Sequence, residues 1–230
     1  MGDDIEGTAA ADTEASASMT WRHGRLLPLG RFEAFSDGVF AIAITLLVLE
    51  LKVPEEAEGF LHALGLEWHT YLAYLVSFSF IGATWIAHAN LSRFIKATDG
   101  ALMRLNLALL LFVSLLPFTT SLMATSLEGD AKHVVVFIFG LNLTLAALMI
   151  NVMIRHAVRT PGIADDEVAG HELRGFAKER AVGLVVMAAA AVVGLLLPTV
   201  GNYTYLVVSV VFLVEPLTRR GRGAGKQTEP

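Results

Sequence analysis

Few residues in this 230-residue chain combine chemistry with a setting where chemistry is costly. Asp37 follows Phe35 and Ser36 in one long apolar run, Trp85 and His88 stand in a second, and Asn106 in a third. An ionisable side chain at membrane depth normally faces protein or water, and is a functional candidate by default. At about 1.5 Å of rise per residue, Asp37 lies roughly 6–8 Å inside one edge of its run. His88 lies roughly 5–6 Å inside the same edge as its run leaves, and Asn106 roughly 6–8 Å inside it as the third run enters. Arg31, a turn and a half before Asp37, reaches that layer on its long stem. Three readings are open. One is a buried interhelical network, with Arg31 and His88 donating and Asp37 and Ser36 accepting. Another is a proton relay or ion site. The third is coincidence, with His88 and Asn106 bonding only to nearby backbone.

Other chemistry has little to stand on. The chain has no cysteine, which removes disulfides, thiolate zinc sites and cysteine nucleophiles. The seven histidines are scattered, and His171-Glu172 has no second histidine four residues on, so no zincin helix is present. Gly-rich phosphate loops, serine nucleophile elbows and paired carboxylates are missing as well. The expectation is a protein that is not an enzyme and carries no metal or cofactor.

These polar residues must be positioned by membrane-spanning helices. The chain is 54% hydrophobic and 17% charged, well below the quarter charged of an ordinary soluble domain. That excludes a disordered chain, a coiled coil and a nucleic-acid binder. A bilayer core of about 30 Å takes about 20 apolar helical residues. Six stretches qualify: about 32–53, 70–91, 101–125, 133–154, 181–197 and 203–217. The expected fold is therefore an all-α integral membrane domain over residues 21–220, preceded by a flexible acidic leader, 1–20, and followed by a flexible basic tail, 221–230. Pro117, inside the third span, should kink it. The only long loop, 155–180, is compatible with a short amphipathic surface helix.

Orientation follows from the cations. Fifteen of the 17 lysines and arginines fall on the side of the N-terminus when six spans are drawn; only Lys52 and Lys132 do not. Glu55, Glu56, Glu58 and Glu67 make the opposite loop acidic. By the positive-inside rule both termini are expected in the cytoplasm.

The first span carries a stripe: Ile42, Leu46, Leu49 and Val53 at i, i+4, i+7 and i+11, bordered by Thr45, with Ser36, Asp37 and Gly38 below it. By pattern alone these aliphatic residues read as ordinary core or lipid-facing side chains. The whole segment, Arg31-Phe32-Glu33-Ala34-Phe35-Ser36-Asp37-Gly38 and on to Glu50, resembles the FSD-containing first helix of the transmembrane protein 175 family, the endosomal and lysosomal potassium channels and their prokaryotic relatives. Trp85-Ile86-Ala87-His88 in span two and Leu116-Pro117-Phe118 in span three resemble the same family. Spans one to three carry the likeness; spans four to six agree mainly in number. With a single FSD motif the chain is similar to the prokaryotic, single-repeat form.

That resemblance implies a homotetramer of six-helix subunits around a pore lined by the first helices, in the plasma membrane of a prokaryote. It implies a constriction at Ile42, Leu46 and Leu49, with Thr45 tuning potassium preference, and an interhelical network of Arg31, Phe35, Ser36, Asp37, Trp85 and His88, to which the depth argument adds Asn106. No TVGYG-like carbonyl filter is present, so selectivity would come from an apolar ring at which an ion sheds water. The expected function is a potassium-selective channel, with potassium as permeant ion and lipid as surroundings. Glu50 at the outer mouth either concentrates cations or is a solvated helix-end charge. An alternative is a proton- or ion-coupled secondary transporter, a class that often shows inverted repeats and broken midplane helices, which are not visible here. A membrane scaffold without flux is a third reading.

Overall fold

The computed structural model describes residues 29–51, 68–126, 131–164 and 167–224. The acidic leader, Lys52, Val53 and the acidic loop after span one lie outside the described residues. The fold is all-helical: α1 (Leu29–Leu46) ends in a tighter turn (Leu47–Glu50), followed by α2 (Trp68–Phe94), α3 (Gly100–Ser114), α4 (Leu116–Ser126), α5 (Lys132–Arg159), α6 (Glu167–Gly194) and α7 (Pro198–Ala224). Four segments are long and apolar enough to cross a membrane: Leu29–Glu50, Thr70–Phe94, Gly100–Thr125 and Lys132–Arg159. The apolar part of α7, Pro198–Val214, is shorter.

The helices overrun the apolar runs that announce them. The fifth was expected from about 181, yet α6 starts at Glu167 and absorbs most of the anticipated loop. The last was expected to stop near 217, yet α7 continues to Ala224, so four residues of the anticipated tail are helical. Both corrections share a cause. Hydropathy marks where a helix meets lipid, whereas helix propagation adds one hydrogen bond per residue once packing has supplied the nucleus.

The third span is interrupted. A turn at Leu115 separates α3 from α4, and Pro117 falls in the first turn of α4, where its missing N–H is tolerated. Leu115 N–H still donates to Leu111 O at 3.1 Å, and Thr119 N–H to Leu115 O at 3.0 Å, so the ladder resumes at once. Thr120 Oγ1 donates to Leu116 O at 2.7 Å and covers a carbonyl beside the break.

Helix α5 is the hub: α2, α3, α4, α6 and α7 all pack against it. In contrast, among the described residues α1 leans mainly on α2, α3 and, more weakly, α4. Polar side chains tie the interior together. Ser77 of α2 and Thr120 of α4 share a hydrogen bond of 2.6 Å, and Asn142 Nδ2 of α5 donates to Thr119 Oγ1 at 3.2 Å. At Gly183 of α6 a Cβ would overlap the tip of the Phe212 ring, so any larger residue there would have to push that ring aside.

The α5–α6 connection is held to the α2–α3 connection. Thr160-Pro161-Gly162-Ile163 forms a turn with Gly162 at φ 84, the conformation that glycine adopts without penalty. Lys96 N–H donates to Ile163 O at 3.0 Å, and Ile163 is fully buried. Asp99 caps α3 by accepting from Leu102 N–H at 2.7 Å, and accepts from His156 Nε2–H at 2.9 Å. Burial alone would raise the Asp99 carboxyl, but the Leu102 amide, the His156 hydrogen bond and charge, and the Ala101 amide hold it below the ordinary carboxylate value. A depressed native pKa stabilises the fold above the unfolded value and loses that contribution as pH falls through the native one. Asp99→Asn keeps an acceptor for the Leu102 amide but loses the negative charge at the helix start, so it should be less stable than the unmutated protein at neutral pH, by roughly 0.3–1 kcal/mol. The gap should shrink as pH falls from the ordinary carboxylate value of the unfolded chain through the lower native one. Melting curves of both proteins across pH 3–7 check this.

Candidate functional site

One face of α1 is seated and the other is bare. Phe32, Ser36, Phe40, Ala43 and, in the turn beyond, Leu47 repeat at helical spacing and are buried against α2, α3 and α4. The opposite face presents Phe35, Ile42, Leu46 and Leu49, with Phe35 56%, Ile42 61% and Leu49 73% exposed. These positions follow i, i+7, i+11 and i+14, a single stripe along the helix. Among the described residues no other helix covers it, and α1 is the least buried of the four apolar spans. Thr45 is exposed beside the stripe, and its hydroxyl donates back to Ala41 O at 3.0 Å and Ile42 O at 2.9 Å. With the O–H engaged by its own helix, the oxygen presents lone pairs outward. Glu50, at the end of the tight turn, is part-buried.

The seated face carries a hydrogen-bonded chain across three helices. His88 of α2 meets Asn106 Oδ1 of α3 at 3.0 Å through Nε2. An amide oxygen only accepts, so the proton sits on Nε2. Asn106 Nδ2 in turn donates to Ser36 Oγ at 2.8 Å, and the Ser36 hydroxyl donates to Phe32 O at 2.8 Å. All three side chains are buried. Phe32 stacks on the His88 ring at 5.0 Å and Phe40 tilts against it at 5.8 Å, so two residues of the seated face clamp the imidazole.

The anticipated single network is in fact divided. Asp37, one residue after Ser36, turns about 100° around the helix and faces outward. It accepts from Trp85 Nε1–H at 2.9 Å, and both side chains are exposed. Asp37 therefore takes no hydrogen bond from His88. Arg31 is exposed on α1 and joins neither group within the protomer. Phe35 lies on the bare face, apart from the buried chain. The order of donors also differs from expectation, because Asn106 links His88 to Ser36 by accepting from one and donating to the other.

Sequence reading passed over Arg180, counting it only as a loop cation. It is buried, donates through Nη2 to Ala83 O of α2 at 2.9 Å, and sits over the Phe176 ring at 5.3 Å and the Phe212 ring at 4.9 Å. The available signal was Phe176 one turn before it, at the i−4 position of a helix. Among the described residues no cluster of His, Asp or Glu could hold a metal ion.

Comparison with known proteins supplies the context. A family model described as endosomal/lysosomal potassium channel TMEM175 matches residues 31–117, which span α1 to the start of α4. A potassium channel of Streptomyces collinus is 44% identical over 142 residues, covering 60% of this chain and 69% of that protein. A potassium channel of Chamaesiphon minutus is 37% identical over 158 residues, covering 67% of this chain and 78% of that protein. The crystal structure of a lysosomal potassium-selective channel TMEM175 homolog from Chamaesiphon minutus superposes with a TM-score of 0.71 at 32% identity, over 81% of this chain and 96% of that one.

Proposed function

This chain belongs to the transmembrane protein 175 family of ion channels, as a prokaryotic member, and from that premise we propose that it is a potassium-selective channel built as a homotetramer of six-span subunits. Residues 21–220 form the channel domain, both termini lie in the cytoplasm, and the membrane is the plasma membrane of a prokaryotic cell. The fifteen cations on one side support this orientation.

The bare face of α1 carries the proposal. A contiguous apolar stripe that the described residues leave uncovered calls for a partner surface or a conduit. Four-fold symmetry would turn the copies of Ile42, Leu46 and Leu49 toward one axis and close it with aliphatic side chains. A ring without polar atoms cannot replace an ion's hydration shell, so the ion must shed water there. Potassium holds its water less tightly than sodium and loses less on passing. Thr45 then offers oxygen lone pairs about one turn beyond Ile42, where the ion recovers ligands. The Trp85–Asp37 contact and the exposed Phe35 and Arg31 lie on the subunit's open side, where neighbouring copies would meet. Asp37 and Trp85 hold α1 against α2 there, while Ser36, Asn106 and His88 fix the rotation of α1 from behind. Glu50 stands near the outer mouth.

The test is a reversal potential. Purified protein in a planar bilayer, with potassium on one side and sodium on the other, should give discrete single-channel steps and a potential shifted toward the potassium equilibrium value. A potential at zero would remove the selectivity. Saturable counterflow without unitary steps would replace the channel by a transporter.

A further inference from the structure

The end of α5 and the first half of α6 enclose a cleft that the conduction pathway does not use. It measures about 760 Å³ and opens into a second lobe of about 560 Å³ bounded by the Thr160-Pro161-Gly162 turn. Its cations come from two facing helices in register: Arg155 and Arg159, four apart on α5, and His171, Arg174 and Lys178, at intervals of three and four on α6. All five side chains are exposed. Among the described residues no acidic side chain lines either lobe. Glu172 and Glu179 belong, by helical spacing, to a different face of α6. Like charges held this close repel one another unless an anion enters between them.

The floor of the cleft is of another kind. Val158, Ala177 and Ala181 line it without a polar group. The same face of α6 then runs on through Val182 and Val185, which are 66% and 67% exposed. The apolar run of α5 ends at Ile154 and that of α6 begins at Ala181. The cleft therefore sits where hydrocarbon gives way to headgroups, with cations above and valines below. A soluble polyphosphate would satisfy the cations and leave the floor unused. An amphiphile satisfies both.

We propose that this cleft binds an anionic glycerophospholipid, its phosphate among Arg155, Arg159, Arg174 and Lys178 and its acyl chains along Val182 and Val185. Basic pockets between membrane helices at headgroup level select anionic lipids in this way. The volume suits a headgroup, and His171 adds one further ring nitrogen at the rim.

Delipidated protein in detergent would be offered phosphatidylglycerol or phosphatidylcholine with identical chains, and retention read by native mass spectrometry and thermal shift. The unmutated protein should retain phosphatidylglycerol about tenfold better. The preference should vanish in Arg159→Gln/Arg174→Gln and persist in Arg93→Gln, an equally exposed cation at the end of α2. If the double variant does not elute as folded protein, the single variant Arg174→Gln should weaken the preference several-fold. Equal retention of both lipids by the unmutated protein overturns the proposal, as does a preference that survives in a folded cleft variant. So does pyrophosphate that stabilises as strongly as phosphatidylglycerol, which would make the ligand a soluble anion.

Discussion

Ile42→Asn should bring the potassium-over-sodium permeability ratio down several-fold toward parity and raise the current carried by both ions. The reason is local. An aliphatic ring gives an ion nothing in exchange for lost water, so the ion with the looser hydration shell is favoured. Asparagine places an amide oxygen at the same level, and that oxygen serves sodium as well as potassium. Each tenfold change in the ratio corresponds to about 1.4 kcal/mol between the two ions, less than one good hydrogen bond to a charged group. The protomer should tolerate the change, because the side chain is 61% exposed on the bare face of α1. Assembly and melting temperature should stay near those of the unmutated protein, and Ile42→Val should keep most of the selectivity. Reversal potentials in planar bilayers give the answer. An unaltered ratio in Ile42→Asn would remove Ile42 from the proposed constriction.

The second large effect is on folding. Asn106→Leu keeps the volume but removes the middle member of the His88–Asn106–Ser36 chain. Ser36 still donates to Phe32 O, so it loses only an acceptor contact. His88 loses more, because its Nε2–H is buried beside the rings of Phe32 and Phe40 and loses its acceptor. An interhelical hydrogen bond in a membrane averages about 0.6 kcal/mol and reaches about 1.7, whereas a stranded buried donor costs about 1–3. The stranded donor decides the outcome, and a loss of about 2–3 kcal/mol follows. Adding His88→Phe to Asn106→Leu should recover part of it, since replacing both partners with apolar groups is often nearly neutral. A double-mutant cycle on thermal melts measures the coupling. Additive losses would mean that the two side chains are merely neighbours.

Much of the helical plan is legible in the apolar runs, because each run has to be long enough to cross hydrocarbon. Helix ends are not, since α6 starts before its apolar run and α7 continues past the end of its own. The polar layer shows a similar division. Rise per residue gives depth, and depth groups Ser36, Asp37, His88 and Asn106 at one level. It does not give azimuth. The turn of about 100° between Ser36 and Asp37 sends one into the protein and the other to Trp85 on the open side. Arg180 was hidden for a different reason: charge counting assigns a cation to a side of the membrane and says nothing of the two aromatic faces that receive it. Thr45 is the reverse case, where residue type announces a polar group but only the backbone bonds reveal which of its atoms is left for a passing ion.

The uneven seating of α1 has a mechanical meaning. Near its start the helix is pinned by directional bonds through Ser36 and by the two rings around His88. Farther along, Ala43 and Leu47 rest on oily neighbours, which resist sliding far less than a bond resists breaking. Any swing of α1 would therefore pivot at Ser36, where the directional bonds are. Such a swing would carry the far tip at Leu49 about twice as far as Ile42.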